Sequence, residues 1–359
     1  MEPYVVTPYG FTTALDLPAL AFREAREKPF DLYGLYAPHE GGVYRRLPQD
    51  VADATSPGVA GLARNTAGGR VRFATDSDYV AIHAVLAGVG RMDHFPLTGS
   101  AGFDLYVKLG ARYRYYGTFR PGFNVKDSFE GVLRFATREM REIMIHFPLY
   151  SGVESLYIGL RADAAVDHGA RYRYDRPVVY YGSSITQGGC ASHPGNAYQA
   201  LISIDTDSDF LNLGFSGNAR GEASIRDYMA SLDMSVFVLD YDHNAPNAEH
   251  LKNTHAPLFA AIRAAHPTLP VIFVTKPDTN LYAFGASHGR AFDDRRSIIH
   301  ETYRQALLAG DKNVYFIDGD SLFAGPHRDA CTVDGCHPND VGFFRMAEVI
   351  GAYVAPVLR

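Results

Sequence analysis

The sequence predicts a two-part chain: an antiparallel β-sandwich over residues 1–170, followed by an α/β unit with a parallel sheet over residues 171–359. Three observations support that reading. The chain has 359 residues, which at about 150 residues per domain favours two units over one. Between about residues 70 and 160 the apolar side chains recur in short period-two runs. Beyond Pro177 they form continuous runs about 25 to 40 residues apart, with helix-compatible stretches between most of them.

In chain order, the alternating runs are Val71 and Phe73; Val80, Ile82 and Leu86; Leu133 and Phe135; Ile143 and Ile145; and Leu156, Ile158 and Leu160. Side chains of a strand point alternately to opposite faces, so such runs mark strands buried on one side, and several in succession mark a sandwich. From Arg112 to Tyr115 arginine and tyrosine alternate, which reads as a solvated sheet face. The segment Asp167 to Pro177, DHGARYRYDRP, reads as a linker. The continuous runs are Val178 to Tyr181, Phe210 to Leu213, Val236 to Leu239, Val271 to Val274 and Val314 to Ile317. A strand apolar on both faces belongs to a parallel sheet covered on both sides. Between the third and fourth runs, APLFAAIRAAHP places Leu258, Ile262 and Ala265 on one helical face.

Composition excludes several classes. Lysine and arginine number 34 against 40 aspartates and glutamates, a net charge of −6 with no long run of either sign. A nucleic-acid binder needs a basic stripe to neutralise phosphates, and none is visible. Apolar residues make up 47% and charged residues 21%, the balance of a chain able to build a core. No stretch approaches the roughly 20 apolar residues of a membrane span. The N-terminus has Glu2 and no basic region before its broken apolar stretch, so no signal peptide is expected and a cytoplasmic address is. Three cysteines, Cys190, Cys331 and Cys336, make no disulfide framework and no zinc ribbon. They read as free thiols, although a bridge between two of them is left open.

In an open parallel sheet, ligands bind beyond the carboxyl ends of the strands. The first run is followed by Gly182-Ser183-Ser184-Ile185-Thr186, the second by Gly214-Phe215-Ser216-Gly217-Asn218, and the third by Asp240-Tyr241-Asp242-His243-Asn244. Past the fifth stands Asp334-Gly335-Cys336-His337-Pro338. These are the parts for acyl transfer. A serine hydroxyl is a weak nucleophile until a base takes its proton, so Ser184 needs a partner such as His337. Asp334, three residues before the imidazole, suits the role of fixing its tautomer. The amides of Ser184 and Gly217 and the side chain of Asn244 suit the negative oxygen of a tetrahedral intermediate. Asn247 competes with Asn244, which lies closer to the strand end.

The four blocks, in this order, resemble the SGNH hydrolases, also called GDSL-like esterases and lipases, over about residues 175–359. Gly102-Phe103-Asp104-Leu105-Tyr106 also matches the GxDLY motif of an N-terminal β-domain in one subgroup of these enzymes. The resemblance implies a flavodoxin-like three-layer α/β/α catalytic domain preceded by a jelly-roll-like sandwich. It implies Ser184 as nucleophile, Asp334 and His337 as its triad partners, and Ser184, Gly217 and Asn244 as the oxyanion hole. The family's usual aspartate before the nucleophile is Ser183 here, and its Gly-x-Asn block reads LDYDHNAPN.

Three other segments weigh less. Gly285-Ala286-Ser287-His288-Gly289 matches a nucleophile elbow, but no apolar run directly precedes it, so Ser287 reads as part of a loop. Gly88-Val89-Gly90 begins a nucleotide-like pattern that Asp93 breaks. His337-Pro338-Asn339-Asp340, with Asp242 and His243, offers metal-ligand types without established ligand spacing, so neither metal nor cofactor is expected. Arg220 and Glu222 read as a solvated first helical turn. The expected function is a serine esterase for short acyl esters, O-acetyl groups of carbohydrates first among them. A longer-chain lipase or thioesterase and a non-catalytic carbohydrate-binding protein are the alternatives. The expected partner is a small-molecule or oligosaccharide ester, and homo-oligomerisation is left open. A protonated imidazole cannot act as base, so turnover is expected to fall on acidification.

Overall fold

The computed structural model describes residues 5–277 and 288–359. Among the described residues twelve strands precede residue 170: β1 (Val5–Val6), β2 (Thr12–Thr13), β3 (Leu20–Glu24), β4 (Asp31–Tyr33), β5 (Arg70–Thr75), β6 (Tyr79–Gly88), β7 (Phe103–Leu109), β8 (Arg112–Phe119), β9 (Ser128–Arg134), β10 (Arg141–His146), β11 (Gly152–Arg161) and β12 (Val166–His168). β1 and β2 form a short ribbon. The others make two antiparallel sheets, one ordered β12-β5-β10-β7-β8 with β4 also on β5, the other β3-β11-β6-β9. Val71, Phe73, Leu105, Ile143 and Ile145 of the first sheet and Val80, Ile82, Leu156 and Ile158 of the second share one core. The period-two runs therefore become the inner faces of a sandwich.

The outer face of the first sheet departs from the expected pattern. Every residue of β5 is buried, Arg70 and Arg72 included, because this face packs against the second half of the chain. Arg70 is ion-paired with Asp209, and its guanidinium lies 3.9 Å from the Phe210 ring centre. Arg72 lies 4.1 Å from the Tyr172 ring centre. The segment read as a linker is also structured. Val166, Asp167 and His168 pair with Thr75, Ala74 and Phe73, and Tyr174 already belongs to the next strand. A three-residue strand and the polar start of the next leave little hydrophobic period to read.

The second half is a parallel sheet of β13 (Tyr174–Gly182), β14 (Ser208–Gly214), β15 (Val236–Asp240), β16 (Val271–Val274) and β17 (Val314–Ile317), ordered β14-β13-β15-β16-β17. This is the flavodoxin-like order, in which the chain runs first to one side of the initial strand and then to the other, opening a crevice beside that strand. Alternate residues feed two cores. Val178, Tyr180, Val236 and Val238 meet the helices Tyr198–Thr206 and Asp340–Val354. Val179, Tyr181, Phe237 and Leu239 meet Ala223–Ser231, Ala248–Ala265 and His288–Leu308. On the helix Ala248–Ala265 the buried face is Leu251, His255, Leu258 and Ile262. Ala265, expected on that face, is exposed in the last turn. Among the described residues no helix is long and apolar enough to cross a membrane. The three cysteines are free.

Two further buried contacts fasten the sandwich to the second half. Arg46 donates to the carbonyls of Leu62 (2.8 Å), Asn65 (2.9 Å), Asn212 (2.9 Å) and Gly214 (2.6 Å). Burial pushes its guanidinium down to about 9, since no carboxylate offsets the lost hydration. Asp104, fully buried, accepts from the Gly195 amide (2.7 Å), His193 Nδ1 (2.5 Å) and Thr118 Oγ1 (2.7 Å). Two residues on, Tyr106 lies against Gly195, where any Cβ would stand 2.0 Å from the phenol oxygen. The Gly-Phe-Asp-Leu-Tyr segment thus grips the loop that follows the Ser184 turn.

Candidate active site

The first three motifs lie where their strands end, and the fourth, with Asp334 and His337, stands past β17, beyond the short helix Gly319–Leu322. β13 stops at Gly182, and a short helix, Ser184–Gln187, begins at once. Ser183 is its N-cap, its side chain accepting from the Ile185 amide at 3.2 Å. A serine caps as well as an aspartate, which accounts for Ser183 standing where an aspartate is usual. Gly182 has no room for a side chain, because a Cβ would lie 2.1 Å from the Asp240 carbonyl. Ser184 is half-buried, and its carbonyl accepts from Tyr150 Oη at 3.1 Å, a contact reaching over from the antiparallel half.

His337 stands on a loop closed by pairing of Thr332 with Pro338. Its Nε2 lies 2.9 Å from Ser184 Oγ, and its Nδ1 lies 2.7 Å from Asp334 Oδ2. The other carboxylate oxygen accepts from the amides of Cys336 (2.9 Å) and His337 (2.7 Å). Partial burial would raise the Asp334 carboxyl. The hydrogen bonds from the His337 side chain and from the two amides outweigh it and hold the group down at about 2. Asp334 is therefore a carboxylate throughout the neutral range, suited to accept the hydrogen bond of an Nδ1–H and leave the Nε2 lone pair facing the serine.

The second block places Gly217 at φ +69° in an exposed turn, with no atom within 4 Å of the position a Cβ would take. Gln187 of the Ser184 helix accepts from the Ser216 amide at 3.0 Å, fixing this turn to the first block. Asn244 ends the turn Asp242–Asn244 after β15, and its Oδ1 accepts from the Ala219 amide at 3.3 Å. Its amide nitrogen makes no hydrogen bond among the described residues and can donate to a ligand. Asn247 has a different task. It caps the helix Ala248–Ala265 by accepting from the His250 amide at 2.8 Å. The structure thus joins Ser184, His337 and Asp334 in one chain of hydrogen bonds and ties the Gly217 turn to Asn244. Ser287 lies outside the described residues.

Residues that sequence reading missed complete the surroundings. His94, on the segment between β6 and β7, brings its ring centroid to 5.4 Å from that of His337. Tyr150 and Asp104 also come from the antiparallel half, and only Asp104 carried a sequence signal, through the quoted motif. Below Asn244, burial and then the nearby Asp242 hold the Asp240 carboxyl well above the ordinary carboxylate range. Burial drives His243 well below the ordinary imidazole range. Among the described residues, two groups bring three metal-ligand atoms within 4.8 Å of one another: Asp240, Asp242 and His243, and His94, Cys190 and His337.

The sequence matches the model of the GDSL-like lipase/acylhydrolase family over residues 175–355. It also matches that of the GxDLY N-terminus of SGNH-hydrolase-type esterases over residues 20–166. No curated protein matches it. Among solved structures, a GDSL-like lipase from Bacteroides ovatus is 29% identical, with a TM-score of 0.86 over 94% of this chain and 98% of that one. The salicylyl-acyltransferase SsfX3 of a tetracycline biosynthetic pathway is 19% identical, with a TM-score of 0.76 over 94% and 99%. A family two carbohydrate esterase from Clostridium thermocellum, solved with cellohexaose, is 13% identical, with a TM-score of 0.59 over 81% and 92%. The acetyl xylan esterase Est2A from Butyrivibrio proteoclasticus is 11% identical, with a TM-score of 0.58 over 94% and 98%.

Proposed function

The chain belongs to the GDSL-like lipase/acylhydrolase family, and from that premise we propose that it is a serine esterase releasing short acyl groups, O-acetyl above all, from carbohydrates. The observation that carries the reading is the unbroken relay from Asp334 through His337 to Ser184, with links of 2.7 and 2.9 Å. His337 Nε2 takes the Ser184 proton as Oγ attacks the ester carbonyl, and Asp334 stabilises the imidazolium that forms. The amides of Ser184 and Gly217 and the Asn244 side chain meet the oxyanion. The imidazolium returns its proton to the departing alcohol, and water, activated by the same base, then cleaves the acyl-enzyme. Every step uses groups of this chain, main-chain amides included, together with water.

The carbohydrate part of the proposal draws on the shared fold with esterases acting on polysaccharides. The acetyl part accords with the sequence, which offers no long apolar segment beside the motifs to shelter an extended acyl chain, at about 0.8 kcal/mol per buried methylene. The test is fluorophosphonate labelling with peptide mapping, alongside turnover of acetyl and octanoyl nitrophenyl esters and of acetylated oligosaccharides. Labelling at Ser184, loss of labelling and turnover in Ser184→Ala, and preference for acetyl are expected. Faster octanoyl turnover would make the protein a lipase, and complete inertness would make it a binding protein.

A further inference from the structure

The segment between β6 and β7 leaves the sandwich and lies over the residues that follow the Ser184 helix. It is held there along its length. Gly90 donates to Ser151 Oγ at 3.1 Å, and Met92 pairs with Phe95 across a tight turn. Phe95 is buried in the core of the parallel half, edge-on to Tyr150 at 5.2 Å. Thr98 Oγ1 donates to the Ser192 carbonyl at 2.5 Å, and Gly99 is so close that a Cβ would stand 2.0 Å from the Ala191 carbonyl. His94, at the crest of this strap, is therefore placed beside His337 by a rigid frame.

Cys190 is the third member. It is buried, and it adopts φ +77°, a left-handed conformation unusual for any residue with a Cβ. One ligand atom each from His94, Cys190 and His337 lies within 4.8 Å of the others. Both imidazoles are presented alike. Nδ1 of His94 is 3.1 Å from Asp93 Oδ1, and Nδ1 of His337 is 2.7 Å from Asp334 Oδ2. A carboxylate on the far nitrogen is the usual outer support of a metal-bound histidine, because it fixes the tautomer that offers the other lone pair. The hydrolytic relay needs this support on His337 and leaves that on His94 without a use.

We propose that His94, Cys190 and His337 form a binding site for a borderline-soft divalent cation, Zn2+ above others, whose occupancy switches the esterase off reversibly. Two imidazole nitrogens and a thiolate are a zinc ligand set, with a fourth position open to water. Tetrahedral bonds of ordinary length need ligand atoms about 3.4–3.6 Å apart, so side-chain rotation of His94 and Cys190 closes the set. On binding, the Cys190 thiol gives its proton to solvent and its sulfur bonds the metal. His337 Nε2 gives its lone pair to the metal and releases the Ser184 hydroxyl, which has then lost its base. The binding stands on geometry alone; only the inhibition rests on the serine-esterase reading.

The test uses the full chain, stripped of metal with a chelator that is then removed. Micromolar ZnCl2 should inhibit acetyl-ester hydrolysis, chelator should restore it, and Mg2+ and Ca2+, which prefer oxygen ligands, should do neither. His94→Gln and Cys190→Ser should keep the metal-free rate and raise the zinc concentration for half-inhibition at least tenfold. Independently of activity, Co2+ should give a thiolate-to-cobalt charge-transfer band that Cys190→Ser abolishes and Ser184→Ala retains. That band decides the matter even if the protein proves to hydrolyse nothing. Its absence, or zinc inhibition unchanged in both variants, would overturn the proposal.

Discussion

Two asparagines stand near the end of β15, and the structure gives them separable consequences. In Asn244→Ala the proposed oxyanion donor disappears, which by analogy with other enzymes costs about 10²–10³ in kcat, or about 3–4 kcal/mol. The Ala219 amide, 3.3 Å from Oδ1, also loses its acceptor, at a cost to stability of about 1 kcal/mol. Asn244→Asp keeps that acceptor but puts a carboxylate oxygen where the donor nitrogen stood, so its kcat should fall below that of the alanine variant while its stability stays near wild type. Asn247→Ala should do the reverse. The His250 amide loses its cap, stability drops by about 1 kcal/mol, and kcat holds. Saturation kinetics on an acetyl nitrophenyl ester, with urea unfolding followed by circular dichroism, read both quantities on the same samples. A hundredfold loss of kcat in Asn247→Ala with less than tenfold in Asn244→Ala would refute the assignment.

Other expectations follow from single groups. Asp334→Asn should lower kcat by about 10⁴, as a misplaced tautomer does in related triads, with little change in KM; an unchanged kcat would remove Asp334 from the relay. Because the native Asp334 carboxyl is depressed to about 2, its contribution to stability is complete above the ordinary carboxylate range and fades as pH falls through that range towards 2, so rate losses above pH 5 should not track it. Asp104→Ala strands three donors, each costing about 1–3 kcal/mol when buried and unmet, and should lower the thermal midpoint clearly; a midpoint within a degree of wild type would show the clasp to be idle. Burial holds His255 down at about 3. The unfolded chain therefore binds a proton that the native state refuses, and stability from this group, full above about pH 6.5, declines as pH falls towards 3, by about 2 kcal/mol between pH 7 and pH 5. In His255→Phe the pH dependence of the urea midpoint should weaken by that amount, and an unaltered slope would contradict the burial argument.

The parallel half was legible because its strands carry apolar runs on both faces and its first three motifs begin within a few residues of a strand end, whereas the Asp334 block follows β17 only after a short helix and a turn. Val178 to Tyr181 feed two cores in alternation, and the Ser184 block follows directly. The preference for Asn244 over Asn247 rested in the sequence on closeness to the strand end alone, since both are short polar residues near a turn, and it is their hydrogen-bond partners that differ. The strands Val166–His168 and Tyr174–Gly182 escaped notice at their polar ends, where pairing rests on main-chain groups rather than side-chain period. Burial of Arg70 and Arg72 ran against the expectation that charged positions of a strand face water, and only the neighbouring half explains it. His94 and Tyr150 stay hidden in the sequence for a simpler reason. Each gains its meaning from a residue far along the chain, and no local pattern marks either.

The grip of Arg46 on Asn212 and Gly214 bears on how such a protein can be cut, swapped or recombined. Those carbonyls terminate the strand from which the Gly217 turn springs. A fragment starting near residue 171 would keep Ser184, Asp334 and His337 yet present a raw, unsealed flank at the root of the Gly217 turn. Grafting the hydrolytic half onto a foreign partner would therefore require a replacement cation at that spot, so the front portion serves less as a passenger than as a missing wall of the working half.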